Sequence, residues 1–263
     1  MNKEQIIELW KCIGWNTITD YHNYLKSVDS HIILDELDSD VIDSKIFWSA
    51  ADEHFFTDPV CNHNNTEYEI LDISQSNYKN YLIPLNLGMM GQMMHICAIV
   101  FKTFGYISIA EIGSGYNSFK TFPYLDINNK YYPKTGYTGF DIIKRNKETV
   151  EIQGKDGTFS DTQITHYKDG FNVFFSSNTF QHLSPSKIEK YLKQVYEMLP
   201  HEGYFNLMYV SEVEKTYHYG QIIHILNRKD LTKMVKDIGF NIVGSAEMHF
   251  DNSLSPYSLV LKK

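Results

Sequence analysis

The chain has 263 residues, enough for one large domain or one domain with a sizeable appendage. Its 43% hydrophobic, 14% aromatic and 21% charged residues exclude a disordered or collagen-like chain. The formal charge is 24 − 32 = −8, and no run of Lys and Arg exceeds a pair, which speaks against a nucleic-acid partner.

Three cysteines, Cys12, Cys61 and Cys97, are odd in number and far apart, as in a reduced intracellular protein. The start MNKEQIIELW has no basic segment followed by an apolar one, and the longest apolar stretch is a fraction of the roughly 20 residues a membrane span needs. The expectation is a cytoplasmic protein with no membrane partner.

Residues 1–88 are mixed helical and irregular, with an acidic patch, DELDSDVID, an Asn-rich CNHNNTE and no strand–helix alternation. They are expected to form a mainly helical extension, a lid for a substrate, ahead of a core over 89–263. Cys61 with His54 and His63 is too sparse a set for a metal site, and no metal is expected.

A helix should follow, since Met89, Met93, Ile96, Cys97, Val100 and Phe104 share one face and Gly105 ends it. From Ile107, β-rich runs alternate with helical patterns, the signature of a parallel sheet with crossover helices. ISIAEI (107–112), YTGFDII (137–143), FNVFFSS (171–177) and GYFNLMYV (203–210) read as strands. Ser184 and Pro185 start a helix that Pro200 closes. Asn227 caps another that ends at Gly239. FNIVGSAEMHF and SPYSLVLKK then follow one another with no helix between, so they must pair antiparallel or lie apart.

The strongest chemical signal is EIGSGYNS, Glu111 to Ser118. Gly113 and Gly115 let the backbone turn tightly beside a ligand, and Glu111 places a carboxylate where a cation or hydroxyls could be held. A dinucleotide fingerprint would carry a third glycine at Ser118. Asp141, in GFD, ends the second strand where a carboxylate can take both hydroxyls of a ribose.

With SSNTFQHLS (176–184), LPHEGYFNL and the closing pair of strands, these segments resemble the class I S-adenosylmethionine-dependent methyltransferase family over about Met89 to Lys263. The resemblance implies an α/β, Rossmann-like, mostly parallel seven-stranded sheet with a terminal antiparallel strand, and S-adenosylmethionine as cofactor. It implies that Glu111, Gly113, Ser114 and Gly115 surround the methionine part, that Asp141 holds the ribose, that Ile142 borders the adenine and that Asn178 lines the cleft. Asn117 stands where the family's loop has its third glycine. The thirty positions between Glu111 and Asp141 imply an insertion around YLDINNKYYPKTG. Asp156 and Asp161 are both available as the adenine-binding acid.

His182, in the loop after the third long strand, is the candidate base; the bland alternative is a histidine that packs locally. Tyr217, His218, Gln221 and His224 mix aromatic faces with polar tips, as a substrate pocket would, or form an ordinary half-exposed connection. A small polar acceptor methylated at oxygen suits this set. The competing readings are a nucleotide-dependent oxidoreductase or epimerase and a cofactor-binding protein without turnover.

Overall fold

The computed structural model describes residues 2–12, 14, 44–54, 82–115, 135–144, 149–177, 179–211, 217–219, 223–247 and 255–263. Seven strands form one sheet: β1 (Ile107–Ile112), β2 (Thr135–Asp141), β3 (Val150–Glu151), β4 (Val173–Ser176), β5 (Tyr204–Ser211), β8 (Asn241–Glu247) and β9 (Ser255–Lys262). Their order is β3-β2-β1-β4-β5-β9-β8. Pairs from β3 through β5 are parallel, and β9 runs antiparallel to both β5 and β8. This is the Rossmann-like sheet with a terminal antiparallel strand that the resemblance implies.

The period-two alternation of the strands divides the core into two layers. Ile107 and Ile109 of β1, Val173 and Phe175 of β4, and Met208 of β5 face helix α3 (Leu82–Phe104), meeting Met93, Ile96, Cys97 and Val100. The alternate residues Ala110, Ile112, Phe174, Phe205 and Leu207 face the other layer. There lie α4 (Asp161–Tyr167), α5 (Pro185–Met198) and α6 (Arg228–Ile238). Every residue of β4 is buried, as a near-continuous apolar run in a central parallel strand requires.

The helix punctuation follows local chemistry. Pro185 starts α5 with its fixed φ, but Ser184 does not cap by its side chain: its hydroxyl meets that of Ser186 at 3.1 Å. Asn227 does cap α6, accepting from the Asp230 N–H at 2.9 Å, and Gly239 ends that helix in the left-handed region at φ 113°. Helix α3 begins at Leu82, so it runs through position 88, where the sequence places the boundary between extension and core. Among the described residues no helix is long and apolar enough to cross a membrane.

The extension contributes α1 (Lys3–Cys12) and α2 (Ser44–His54), packed on each other. Trp10 is fully buried and its ring stacks on His54 at 5.7 Å. Cys61 and His63 lie outside the described residues, as does the expected insertion before β2.

Candidate functional site at the carboxyl edge of the sheet

Open α/β sheets take ligands at the carboxyl ends of their strands, where the chain order reverses. Here that point lies between β1 and β4, whose outer neighbours run in opposite directions along the chain. Glu111 stands near the end of β1 and is 3% exposed. Burial pushes its carboxyl up to about 8; the phenol of Tyr137, which donates to Oε2, pulls it back, and the negative charge of Asp141 raises it further. Tyr137 reaches Glu111 diagonally, because the register partner of Glu111 is Gly139, which has no side chain to stand between them.

The loop after β1 is held from beneath. The N–H groups of Gly113 and Ser114 both donate to the Phe140 carbonyl, at 2.8 and 3.0 Å, and the Gly115 N–H donates to Asp141 Oδ2 at 2.9 Å. Both glycines have positive φ, 72° and 54°. Asp141, 6% exposed at the end of β2, also accepts from the Ile143 N–H at 3.1 Å through Oδ1. Both of its oxygens thus accept from backbone N–H groups. The buried hydroxyl of Ser114 has no hydrogen-bond partner among the described residues.

From the other side, the segment after β4 closes on this loop. Thr179 Oγ1 donates within reach of the carbonyls of Ser177 and Ile112, at 3.2 and 3.3 Å, and Ser176 Oγ donates to Ile112 at 3.0 Å. The short 3-10 turn Phe180–His182 follows, with the His182 N–H on the Thr179 carbonyl at 3.0 Å. The half-buried His182 ring meets Trp48 of α2 edge-on, centroids 4.9 Å apart.

Of the residues singled out from the sequence, Glu111, Gly113, Ser114, Gly115 and Asp141 come together in one hydrogen-bonded unit. Ile142 is half-buried just beyond it, against the core layer of α4 and α5. Asn178 and Gln221 lie outside the described residues. Tyr217 and His218 lie on β6 (Tyr217–Tyr219) and His224 on β7 (Ile223–Ile225), an antiparallel ribbon with His218 opposite His224. The segment is thus a two-stranded ribbon rather than an irregular connection, and β7 lies beside the turn that carries His182.

Asp156 is engaged elsewhere. Although burial opposes it, donation from Lys190 and Thr158 holds its carboxyl below the usual range, and Lys190 Nζ stands 2.5 Å away. Asp161 sits exposed in the first turn of α4. Tyr137, Thr179 and Trp48 are contributors that sequence reading misses, since each acts through a partner distant in the chain.

The donor set fits a cofactor bearing an ammonium and vicinal hydroxyls. It offers a buried carboxyl, a second carboxylate at the neighbouring strand end and a buried hydroxyl with no partner among the described residues, and among those residues a Cβ at Gly115 would meet nothing within 4 Å. The N–H groups of Gly113, Ser114 and Gly115 are turned inward onto Phe140 and Asp141, beside acids, so these three are not offered to a pyrophosphate.

No protein-family model matches the sequence, and no curated protein matches it. Among solved structures, the chain is similar to 1,6-didemethyltoxoflavin-N1-methyltransferase from Burkholderia thailandensis, with 14% identity over 65% of this chain and 77% of that one, TM-score 0.43. It is also similar to a SAM-dependent methyltransferase from Archaeoglobus fulgidus (14% identity, 65% and 94% covered, TM-score 0.43). A third is the N-methyltransferase NodS from Bradyrhizobium japonicum (11% identity, 68% and 88% covered, TM-score 0.42).

Proposed function

We propose that the protein is an S-adenosylmethionine-dependent methyltransferase that acts on a small polar acceptor, at oxygen. The observation that carries this reading is the inward orientation of the Gly113, Ser114 and Gly115 N–H groups beside the buried Glu111. A dinucleotide enzyme uses such a loop to receive a pyrophosphate; here the loop instead presents acids to the ligand. That supports the methyltransferase reading over the oxidoreductase or epimerase alternative.

When bound, the cofactor supplies a methyl group on a sulfonium, already activated for transfer. The chain's own work is then binding and positioning. Glu111, ionised, accepts from the ammonium. Asp141 would accept from ribose hydroxyls, with Ile142 against the adenine and Asn178 along the cleft. On the acceptor side His182 takes the hydroxyl proton. Tyr217, His218, Gln221 and His224 contact the acceptor, and the helical extension keeps water out.

Calorimetric titration with S-adenosylhomocysteine and, separately, with NAD tests the reading. Binding of the first and not the second is expected. Glu111→Ala and Asp141→Asn should each weaken it tenfold or more, because each removes a charged hydrogen-bond partner worth roughly 1.5–3 kcal/mol. Binding of NAD alone, or unchanged affinity in both variants, would overturn the assignment. A protein that binds S-adenosylhomocysteine but transfers no methyl group to any acceptor would be the non-catalytic alternative.

A further inference from the structure

Helix α2 presents two opposite faces. At 100° per residue, Ala50 and His54 lie on one side, and they turn to α1, where Trp10 stacks on His54 and Lys3 pairs with Glu53 at 2.5 Å. Lys45 and Trp48, three residues apart, lie on the other. Lys45 pairs with Glu151 at the end of β3, and Trp48 meets His182 in the turn after β4.

Between β3 and β4 in the sheet stand β2 and β1. A helix whose one face touches both flanks therefore lies across the ends of the two strands that carry Asp141 and Glu111. The Lys45–Glu151 pair is solvent-exposed and contributes little holding energy, so it marks the bearing of the helix rather than fixing it. Helix α1 packs on the side of α2 opposite Trp48.

From this placement we infer that Trp48 is a positioning residue for His182: the indole, backed by α1, fixes the imidazole at the carboxyl edge of the sheet and shields one side of it from water. The inference rests on the reading of His182 as the base, but the ring contact can be tested without an acceptor. An edge-to-face aromatic pair restricts the ring to one orientation, which a hydroxyl acceptor in line with a sulfonium would need.

The test is histidine modification by diethyl pyrocarbonate on the full-length protein, with sites resolved by mass spectrometry at one pH. His201, whose side chain is 86% exposed, serves as the internal control. Trp48→Ala should raise the rate at His182 by about threefold or more, the loss of one aromatic pair, and leave His201 unchanged. Trp48→Phe should restore most of the protection, because it keeps an aromatic edge.

Lys45→Glu, which puts like charges together without touching the ring pair, should raise the His182 rate more weakly, and Glu151→Lys in addition should reverse this. Unchanged His182 reactivity in Trp48→Ala overturns the inference, whatever Lys45→Glu does. So does a rise at every histidine, which would report general loosening. Failure of the wild type to bind S-adenosylhomocysteine would instead overturn the proposed function, with the modification pattern still deciding the place of Trp48.

Discussion

Thr179 lies directly against the backbone of Gly113: a Cβ at position 113 would stand 2.0 Å from the Thr179 hydroxyl oxygen. The contact ties the loop after β1 to the segment after β4, the two pieces of chain that border the candidate cofactor site. Thr179 cannot easily retreat, because its hydroxyl is held among the carbonyls of Ile112 and Ser177.

Gly113→Ala should therefore destabilise the protein by about 2–4 kcal/mol, combining a left-handed φ with overpacking. Gly115 provides the contrast, since its positive φ is accompanied by open space. Gly115→Ala should cost only about 1 kcal/mol but weaken S-adenosylhomocysteine binding tenfold or more, because the methyl group fills the space above the loop. Urea unfolding and calorimetry on both variants check this. Equal stability of the two variants would contradict the Gly113–Thr179 contact.

Glu111 predicts a pH dependence of stability. Its carboxyl titrates near 8 in the folded chain against an ordinary 4.5, so the folded state holds the proton more tightly. The stabilisation from the protonated form is complete below 4.5 and is lost as pH rises toward 8, by at most about 1.4 kcal/mol per pH unit. Glu111→Gln should flatten that decline in melts between pH 5 and pH 8. An ammonium at the site favours the ionised carboxyl, so S-adenosylhomocysteine binding should strengthen over the same range and release most of one proton near pH 7. Calorimetry in buffers of different ionisation enthalpy measures that release.

The middle of the sheet is legible in the sequence because β1, β4 and β5 are buried on both faces and read as apolar runs, β4 most plainly. The two-residue β3 is not legible, since Val150–Glu151 has no length over which a pattern can show. Glu111, Gly113, Gly115 and Asp141 are legible because a strand, a turn and an acid at a strand end leave a local signature. Tyr137 is not. Its role depends on the β1–β2 register that puts Gly139, and not a larger residue, opposite Glu111. Thr179 and Trp48 are invisible for the same reason, as each matters only through a partner brought near by the fold. The two strands within Tyr217–His224 are not legible either, because three residues each are too few to establish alternation.

Helix α3 sets a prediction about the extension. Met93, Ile96, Cys97 and Val100, in its later turns, are buried against the sheet. A chain starting at residue 82 keeps the helix whole and should fold and bind S-adenosylhomocysteine within a few fold of the full protein, judged by melting and calorimetry. It should lose methyl transfer, since α1 and α2 are gone. An insoluble product would place the extension within the folding core, and undiminished turnover would remove its role as a cover.

His182 carries the last prediction. A hydroxyl attacks a sulfonium poorly while it keeps its proton, and a positioned base contributes typically 100- to 10,000-fold. Among common side chains, the imidazole is the one that exchanges a proton nearest neutrality. His182→Ala should therefore lower kcat by about 100-fold or more, followed as conversion of S-adenosylmethionine to S-adenosylhomocysteine with an accepted substrate. The affinity for S-adenosylhomocysteine should stay near wild type, because the cofactor contacts come from the ends of β1 and β2. With the cofactor saturating at every pH, the acid limb of the kcat profile should disappear with the imidazole, a loss that simple damage to packing would not produce. Turnover within a few fold of wild type would move the base elsewhere, with His218 and His224 of the adjoining ribbon next to be replaced.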